Sequence, residues 1–220
     1  MQKPQLTIPL LIDAARDFSE LMTNQEHPDL FGVTDGKAVG TYVEHLFQNY
    51  LDDNFIVDIG SSAKGIDLPG DDVQTDIKVT SIRQPQSSCP FRNARQKIFG
   101  LGYNLLVFVY DKQDTPETSY LQFTHCTFID AVRTADYTIT RRLREMVLND
   151  NAIKEDIIGF LQDKNVPGDE IVYNDLADEI LEYPPEQGYL TISNALQWRL
   201  QYARVINLDN QVIGVINFEW

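Results

Sequence analysis

The segment GIDLPGDDVQTDIKVTS, residues 65–81, holds the pattern that decides the fold of this chain. From residue 73 to residue 80, apolar or threonine side chains alternate with polar ones, which is the two-residue period of a β-strand. Asp76 and Lys78 are two positions apart, so a strand presents both on one face. The sequence therefore predicts a short strand that carries a carboxylate and an ammonium group side by side.

A second acidic residue precedes this strand. Asp67 opposes its two apolar neighbours in the same alternating pattern, and Pro69-Gly70 suits the two central positions of a type II turn. A hairpin closed by that turn would bring Asp67, Asp76 and Lys78 together at one end. Carboxylate oxygens are ligands for a hard ion such as Mg²⁺, and a lysine beside a phosphate can orient or deprotonate an attacking water. The pattern thus predicts a metal site suited to phosphate chemistry.

Asp67, followed after a gap by Asp76-Ile77-Lys78, resembles the motif of the PD-(D/E)xK nuclease superfamily, and in particular that of the small type II restriction endonucleases. The resemblance implies that Asp67 and Asp76 bind a divalent metal, Mg²⁺ or Mn²⁺, and that Lys78 assists the attacking water. The proline that usually precedes the first aspartate is replaced here by Ile66. An Asp-x-Lys sequence on a strand also arises by chance, and its alternative role is a surface ion pair that contributes less than about 1 kcal/mol.

The segment GKAVGTYVEHLFQNYL, residues 36–51, has apolar side chains at helical spacing. It predicts an amphipathic helix with one side in the core and with Glu44 at the edge of that side. Glu44 resembles the glutamate that restriction endonucleases often carry on a helix before the catalytic hairpin, where it touches the metal site. A solvated glutamate at a helix edge is the alternative. Asp58 is the substitute for the first carboxylate, should Asp67 point away.

The distribution of charge predicts where DNA would bind. The chain has a formal net charge of −15, yet residues 77–110 contain no Asp or Glu. Basic side chains in that range predict a place for phosphates, because neutralising phosphates supplies non-specific affinity for DNA. Ion pairing with acidic surface elsewhere in the protein is the alternative. The candidate DNA-binding residues in this part of the chain are Arg83, Gln84, Gln86, Ser87, Ser88, Arg92, Arg95 and Lys97.

The order of elements after the hairpin predicts an α/β fold. A helix begins at Arg95, the apolar run NLLVFVYD at residues 104–111 predicts a strand buried on both faces, and residues 119–128 predict another strand. This order is expected of a restriction-endonuclease-like core, which is a mixed central sheet flanked by helices. We assign residues 1–149 to such a nuclease domain.

Residues 150–220 are predicted to form a separate C-terminal helical, winged-helix-like module. Helices are predicted at residues 152–162, at residues 173–181 and from Thr191 onward, followed by a hairpin near Asp209-Asn210. In a winged helix the last helix enters the major groove, whereas a subunit-contact or structural tail is the alternative. The candidate DNA-binding residues here are Ser193, Asn194, Gln197, Arg199, Gln201 and Arg204, and the candidate dimer anchors are Trp198, Tyr202 and Tyr173.

The function predicted from these features is Mg²⁺-dependent cleavage of double-stranded DNA at a specific sequence, by a homodimer of restriction type. Two other functions stay open: a repair or structure-specific nuclease on the same core, and a non-catalytic winged-helix DNA-binding protein. No apolar run approaches the roughly 20 residues of a membrane span, and Cys89 and Cys126 form no zinc or disulfide pattern. We therefore expect a cytoplasmic protein without membrane association.

Overall fold

The computed structural model describes residues 3–60, 65–89, 92–193 and 198–220. In chain order its elements are α1 (Ile8–Thr23), α2 (Gly36–Asn54), β1 (Thr75–Ser81), β2 (Gln86–Cys89), α3 (Arg95–Phe99), β3 (Asn104–Asp114), β4 (Ser119–Ile129), α4 (Tyr137–Leu148), α5 (Lys154–Asp163), α6 (Glu170–Glu182), β5 (Thr191–Ile192), β6 (Trp198–Gln201), α7 (Ala203–Ile206) and β7 (Val215–Glu219). Short 3₁₀ turns occupy Pro28–Leu30 and Ala131–Arg133. Within the described ranges, none of the helices is long and apolar enough to cross a membrane.

The chain divides into two compact units, each assembled from separate segments. The first unit comprises Met1–Gln86, Tyr103–Ile129 and Asp209–Trp220, and the second comprises Ser87–Gly102 and Asp130–Leu208. This division differs from the single boundary predicted after residue 149. The reason is that β7 returns to pair with β4, which places the end of the chain in the first unit.

The first unit is built on a mixed four-stranded sheet in the order β1-β3-β4-β7. β1 runs parallel to β3, whereas β3 with β4 and β4 with β7 are antiparallel. β3 is buried from Asn104 to Tyr110, which confirms the strand predicted from the apolar run. α2 confirms the predicted amphipathic helix, because the ring of its Phe47 lies 5.0 Å from the rings of both Phe18 and Phe108. This aromatic core fixes α2 against the sheet.

The second unit has a helical core and a small sheet of its own. Apolar side chains of α3, α4, α5 and α6 form one buried cluster that includes Ile98, Leu143, Leu161 and Ile180. α5 and α6 confirm the helices predicted at residues 152–162 and 173–181. The small sheet has the strand order β2-β6-β5.

The predicted winged helix is not confirmed by the residues that the structure describes. The segment expected to form its recognition helix is strand in both of its described parts, β5 and β6. Trp198 and Leu200 are buried while Arg199 and Gln201 are exposed, so this segment follows the two-residue period of a strand. The predicted hairpin near Asp209-Asn210 is also wrong as a wing, because β7 pairs with β4 of the larger sheet.

Candidate active site and DNA-binding residues

The bridge between Leu68 and Thr75 places Asp67 beside β1. These two residues form an antiparallel pair in which the Leu68 amide donates to the Thr75 carbonyl at 2.9 Å and the Thr75 amide donates back at 3.0 Å. The carboxylate oxygen Oδ2 of Asp67 then accepts a hydrogen bond from the Ile77 amide at 2.7 Å. Asp67 is thus held against the strand that carries Asp76.

The turn inside this segment differs from the predicted type II turn at Pro69-Gly70. The amides of Val73 and Gln74 both donate to the Gly70 carbonyl, so the chain reverses over Asp71 and Asp72, and φ of Gly70 is not positive. Asn104 of β3 secures the far side of the turn, since its side-chain amide donates to the Val73 carbonyl at 2.8 Å. Asp67 still lies beside β1, as predicted, because a different turn closes the same segment.

Asp76 and Lys78 project together from β1, as the alternation predicts. The ammonium nitrogen of Lys78 lies 2.7 Å from Oδ2 of Asp76. Asp76 is 6% exposed, whereas the side chain of Lys78 keeps 23% of its surface exposed. The pair is therefore largely shielded from water, with the ammonium group on the more open side.

Glu44 joins this group from α2. Its carboxyl group is hydrogen-bonded to that of Asp67, and its Oε1 accepts a second hydrogen bond from Gln48 at 3.4 Å. Asp67 is in turn hydrogen-bonded to Asp76. Asp58 lies on the segment before Asp67 and is exposed. The structure thus brings Glu44, Asp67, Asp76 and Lys78 together.

Burial and crowding raise the pKa of each carboxyl group in this cluster. Desolvation is the main cause at Asp76, whose pKa rises to about 7 in spite of the opposing Lys78 ammonium. The interaction between the two aspartates adds to the raised pKa of Asp76. Desolvation likewise raises the pKa of Asp67 and of Glu44. The cluster therefore favours a proton or a cation between its carboxyl groups.

The donor set fits a hard divalent cation, although the side chains must reorient to bind one. No three His, Cys, Asp or Glu side chains in the described ranges are arranged, as they stand, to hold a metal ion. Two carboxylate oxygens are already engaged, one by the Ile77 amide and one by the Lys78 ammonium. Three partly or fully buried carboxyl groups nevertheless supply the oxygen ligands that Mg²⁺ prefers, and a divalent ion would replace the shared protons.

Gly60 packs against the backbone that carries Asp67, a contact that local periodicity did not indicate. Its amide donates to the Asp67 carbonyl at 2.7 Å, and a Cβ built on Gly60 would lie 2.3 Å from the Ile66 carbonyl oxygen. Both neighbours are main-chain atoms, so a larger side chain must move the segment that holds Asp67.

Gly60→Ala is therefore expected to lower DNA cleavage by about 100-fold, because small displacements of catalytic groups have effects of that size. It should also destabilise the protein by about 1–3 kcal/mol, as overpacking does. Cleavage rate and thermal unfolding of the variant measure the two effects. Gly159→Ala is the matched control, since a Cβ there meets no described atom within 4 Å and alanine favours helix α5. Wild-type cleavage by Gly60→Ala would contradict the proposed constraint.

The predicted DNA-binding residues of the acid-free range fall into two groups. Arg83, Gln84, Ser88 and Arg92 are exposed, and Gln86 and Ser87 are half-buried. Arg95 instead forms an ion pair with Glu179 at 2.6 Å and lies over the Phe99 ring. Lys97 is 2% exposed and donates to the Ile192 carbonyl at 2.8 Å, so its ammonium group is inside the second unit and not at a phosphate-binding surface.

The C-terminal candidates are also divided. Arg199, Gln201 and Arg204 are exposed, and Arg204 stacks on Tyr137 with its guanidinium 3.9 Å from the ring centre. The hydroxyl of Ser193 accepts a hydrogen bond from the Arg199 amide at 3.0 Å. Asn194 and Gln197 lie outside the described residues. The predicted dimer anchors Trp198 and Tyr202 are buried in the second unit, and the Tyr173 hydroxyl donates to the Val166 carbonyl.

Comparison with known proteins places this chain in a family. The sequence profile described as "Type II restriction enzyme NspV" matches residues 5–217. The chain belongs to the NspV family of type II restriction enzymes. A curated member, the "Type II restriction enzyme NspV" of Nostoc sp. (strain ATCC 29411 / PCC 7524), is 54% identical over 213 residues, covering 96% of both chains. The NspV-family chain described here is accordingly a sequence-specific restriction endonuclease.

A solved structure is similar over most of the NspV-family chain. It is the tetrameric restriction endonuclease SfiI bound to cognate DNA, with a TM-score of 0.42 and 11% sequence identity, covering 96% of this chain and 80% of that one. The family assignment rests on the sequence matches. Type II restriction enzymes in general use divalent metal ions, in keeping with the oxygen-rich cluster around Asp76.

Proposed function

We propose that this enzyme hydrolyses DNA with Mg²⁺ held by Asp67 and Asp76, with Glu44 as a third ligand and Lys78 beside the attacking water. The observation that carries the proposal is the meeting of three carboxyl groups and one ammonium group at β1. The pKa of Asp76, raised to about 7, supports it because a cation binding there would relieve the buried charge. Mn²⁺ is the expected substitute, since it accepts the same oxygen ligands.

Bound Mg²⁺ would supply electrostatic stabilisation of the charge that develops on the phosphate. Lys78 keeps one side exposed, and its ammonium group would orient the attacking water while its contact with Asp76 fixes the side chain. Asp67 is held by the Ile77 amide, so its carboxylate is already positioned by the backbone. The chain thus contributes orientation and exclusion of water around the scissile phosphate.

The proposed reaction is the hydrolysis of one phosphodiester bond in each strand. The oxygen of water forms a bond to phosphorus, and the bond from phosphorus to the 3′ oxygen breaks. One proton of the water is lost to solvent and the departing oxygen takes up another. The products are a 5′-phosphate and a 3′-hydroxyl end, as the PD-(D/E)xK resemblance implies.

Double-stranded DNA cleavage supports a homodimer as the working form, because a two-fold assembly matches the symmetry of a palindromic site. The exposed apolar residues Ile213, Ile216 and Trp220 lie on or beside the edge strand β7 and offer a contact surface. Sedimentation over a range of protein concentrations measures the assembly. We also propose that the enzyme is cytoplasmic, because it acts on DNA in the cell.

Lys78→Ala tests the proposed chemistry. Purified enzyme incubated with phage DNA and Mg²⁺ is expected to give discrete bands, and Lys78→Ala should reduce the cleavage rate by at least about 1,000-fold, or roughly 4 kcal/mol of barrier. DNA binding, followed by gel shift without Mg²⁺, should change little.

Lys154→Ala is the matched control for loss of a lysine. Lys154 forms a surface ion pair with Asp178 at 2.8 Å in the second unit, and such pairs contribute less than about 1 kcal/mol. The control should cleave at the wild-type rate. Discrete bands that persist in Lys78→Ala would refute the role of Lys78, and bands formed in the presence of EDTA would refute metal dependence.

A further inference from the structure

The two longest acid-free ranges of this acidic chain meet in one small sheet. Residues 77–110 and 187–208 contain no Asp or Glu, although the chain carries 33 acidic residues. The first range supplies β2 and the second supplies β5 and β6, and their order in the sheet is β2-β6-β5. Because DNA is a polyanion, a sheet whose strands carry no acidic side chain is suited to contact it, in a protein of net charge −15.

One face of this sheet presents polar side chains at regular intervals. β5 and β6 are antiparallel, with Thr191 opposite Gln201 and Ile192 opposite Leu200. Thr191, Arg199 and Gln201 are exposed, whereas Ile192 and Leu200 are buried. Arg199 and Gln201 therefore share the outer face of β6 and stand two residues apart on the central strand.

The inner side of the sheet is fixed by a buried polar network. Lys97 donates to the Ile192 carbonyl at 2.8 Å, and the Ile192 amide donates to Oδ2 of Asp136 at 2.9 Å. Lys97 also lies over the ring of Trp198, with its ammonium nitrogen 5.8 Å from the ring centre. Both main-chain groups of Ile192 are thus satisfied from within the second unit. The outer face is held in place before DNA arrives, which lowers the entropy lost on binding.

We propose that the exposed face of β6, with β5 beside it, lies against the major groove of DNA, with Arg199 recognising guanine and Gln201 recognising adenine. In the major groove, arginine pairs with N7 and O6 of guanine, and glutamine pairs with N6 and N7 of adenine. Side chains two apart on a strand are separated by about 6.8 Å, which is close to two base-pair steps of about 3.4 Å. The two residues would contact base pairs about two steps apart.

This inference rests on the site-specific cleavage of the NspV family and not on the proposed metal site. A variant that fails to cleave for lack of metal would still bind its site. Loss of the base contacts from β6, in contrast, would change which DNA sequences are bound and cut. Activity on cognate DNA and discrimination between DNAs therefore separate the two proposals.

The experiment uses duplexes that contain the mapped cleavage site, with 7-deazaguanine replacing each guanine in turn. The analogue lacks the N7 acceptor. At the guanine contacted by Arg199, wild-type enzyme should lose about 5- to 150-fold in kcat/KM, which corresponds to the 1–3 kcal/mol of a bidentate base contact. On unmodified DNA, kcat/KM of Arg199→Ala should fall by a similar factor. Replacing that guanine by the analogue should then lower kcat/KM of the variant no further. Gln201→Ala with 7-deazaadenine gives the parallel test.

Two controls distinguish base recognition from phosphate contact or from a fold defect. Arg199→Lys keeps the charge but not the planar pair of donors, so it should retain non-specific DNA binding and still lose discrimination. Arg142→Ala removes an exposed arginine of α4. The loss of kcat/KM that each 7-deazaguanine causes should be the same in this variant as in the wild type. Wild-type discrimination by Arg199→Lys would overturn the proposal. So would losses in kcat/KM from Arg199→Ala and from each 7-deazaguanine that multiply when combined, because independent losses mean that Arg199 contacts none of the guanines at N7.

Discussion

Asp76→Asn is expected to abolish DNA cleavage and, at the same time, to stabilise the metal-free protein above neutral pH. The cleavage rate should fall by at least about 1,000-fold, because the substitution removes a proposed metal ligand and the partner that fixes Lys78. DNA binding should persist, since one negative charge is lost beside the phosphate. The rate on phage DNA and a gel shift without metal measure these two properties.

The stability gain follows from the raised pKa of Asp76. A carboxyl group whose pKa rises from 3.8 unfolded to about 7 folded binds a proton more tightly in the folded state. Its stabilising contribution is complete below the unfolded pKa and is lost as pH rises toward about 7. Each pKa unit corresponds to about 1.4 kcal/mol. Asparagine does not titrate, so the variant's advantage should appear between pH 4 and pH 7 and persist at pH 8.

Urea unfolding in EDTA at pH 5 and pH 8 measures this gain, and the same titration with Mg²⁺ should narrow it, because metal stabilises the parent protein. Asp175→Asn is the matched control. Asp175 is an exposed aspartate of α6 in the second unit, and its substitution should leave cleavage near the wild type. An Asp76→Asn enzyme that still cuts, or one that is less stable than wild type at pH 8, would contradict the assignment.

Asp136→Ala should lower the free energy of unfolding by about 3–5 kcal/mol, which is more than we expect of Gly60→Ala. Oδ1 of Asp136 accepts the Ile139 amide at the start of α4, and Oδ2 accepts the Ile192 amide of β5. Asp136 is 5% exposed, and its charge opposes the desolvation that lowers the pKa of Lys97. Alanine would therefore remove the acceptor of two amides and the negative charge that favours the buried Lys97 ammonium group. Urea unfolding at pH 7 measures the loss.

Asp169→Ala isolates the contribution of the buried network. Asp169 accepts the Val172 amide at the start of α6 in the same way but is exposed, so its loss should cost about 1 kcal/mol. The deficit of Asp136→Ala should shrink as pH rises toward 10, because Lys97 then loses its proton in the folded state before it does so in the unfolded state. Lys97→Met in the Asp136→Ala background should recover part of the loss. Equal effects of Asp136→Ala and Asp169→Ala would exclude the network.

Local periodicity was sufficient for the elements that build the first unit. The helical spacing of residues 36–51, the alternation of residues 73–80 and the apolar run at residues 104–111 each predicted the element that forms. In these segments the period of side chains matches the burial of the folded chain, so no distant contact has to be known. The predicted closeness of Asp67, Asp76 and Lys78 follows from the same alternation, although a turn over Asp71 and Asp72 brings it about.

The sequence by itself thus determined the strand with Asp76 and Lys78, the helix with Glu44 and the family to which the chain belongs. Tertiary structure decided the position of Lys97. The sequence predicted that Lys97 binds phosphate, but the fold buries its side chain against the ring of Trp198. It also decided that residues 198–201 form a strand, and that β7 closes the larger sheet. These outcomes depend on partners 90 or so residues away, such as Lys97 for Ile192. Short segments fit a helix or a strand equally well, and such long-range pairing selects between them.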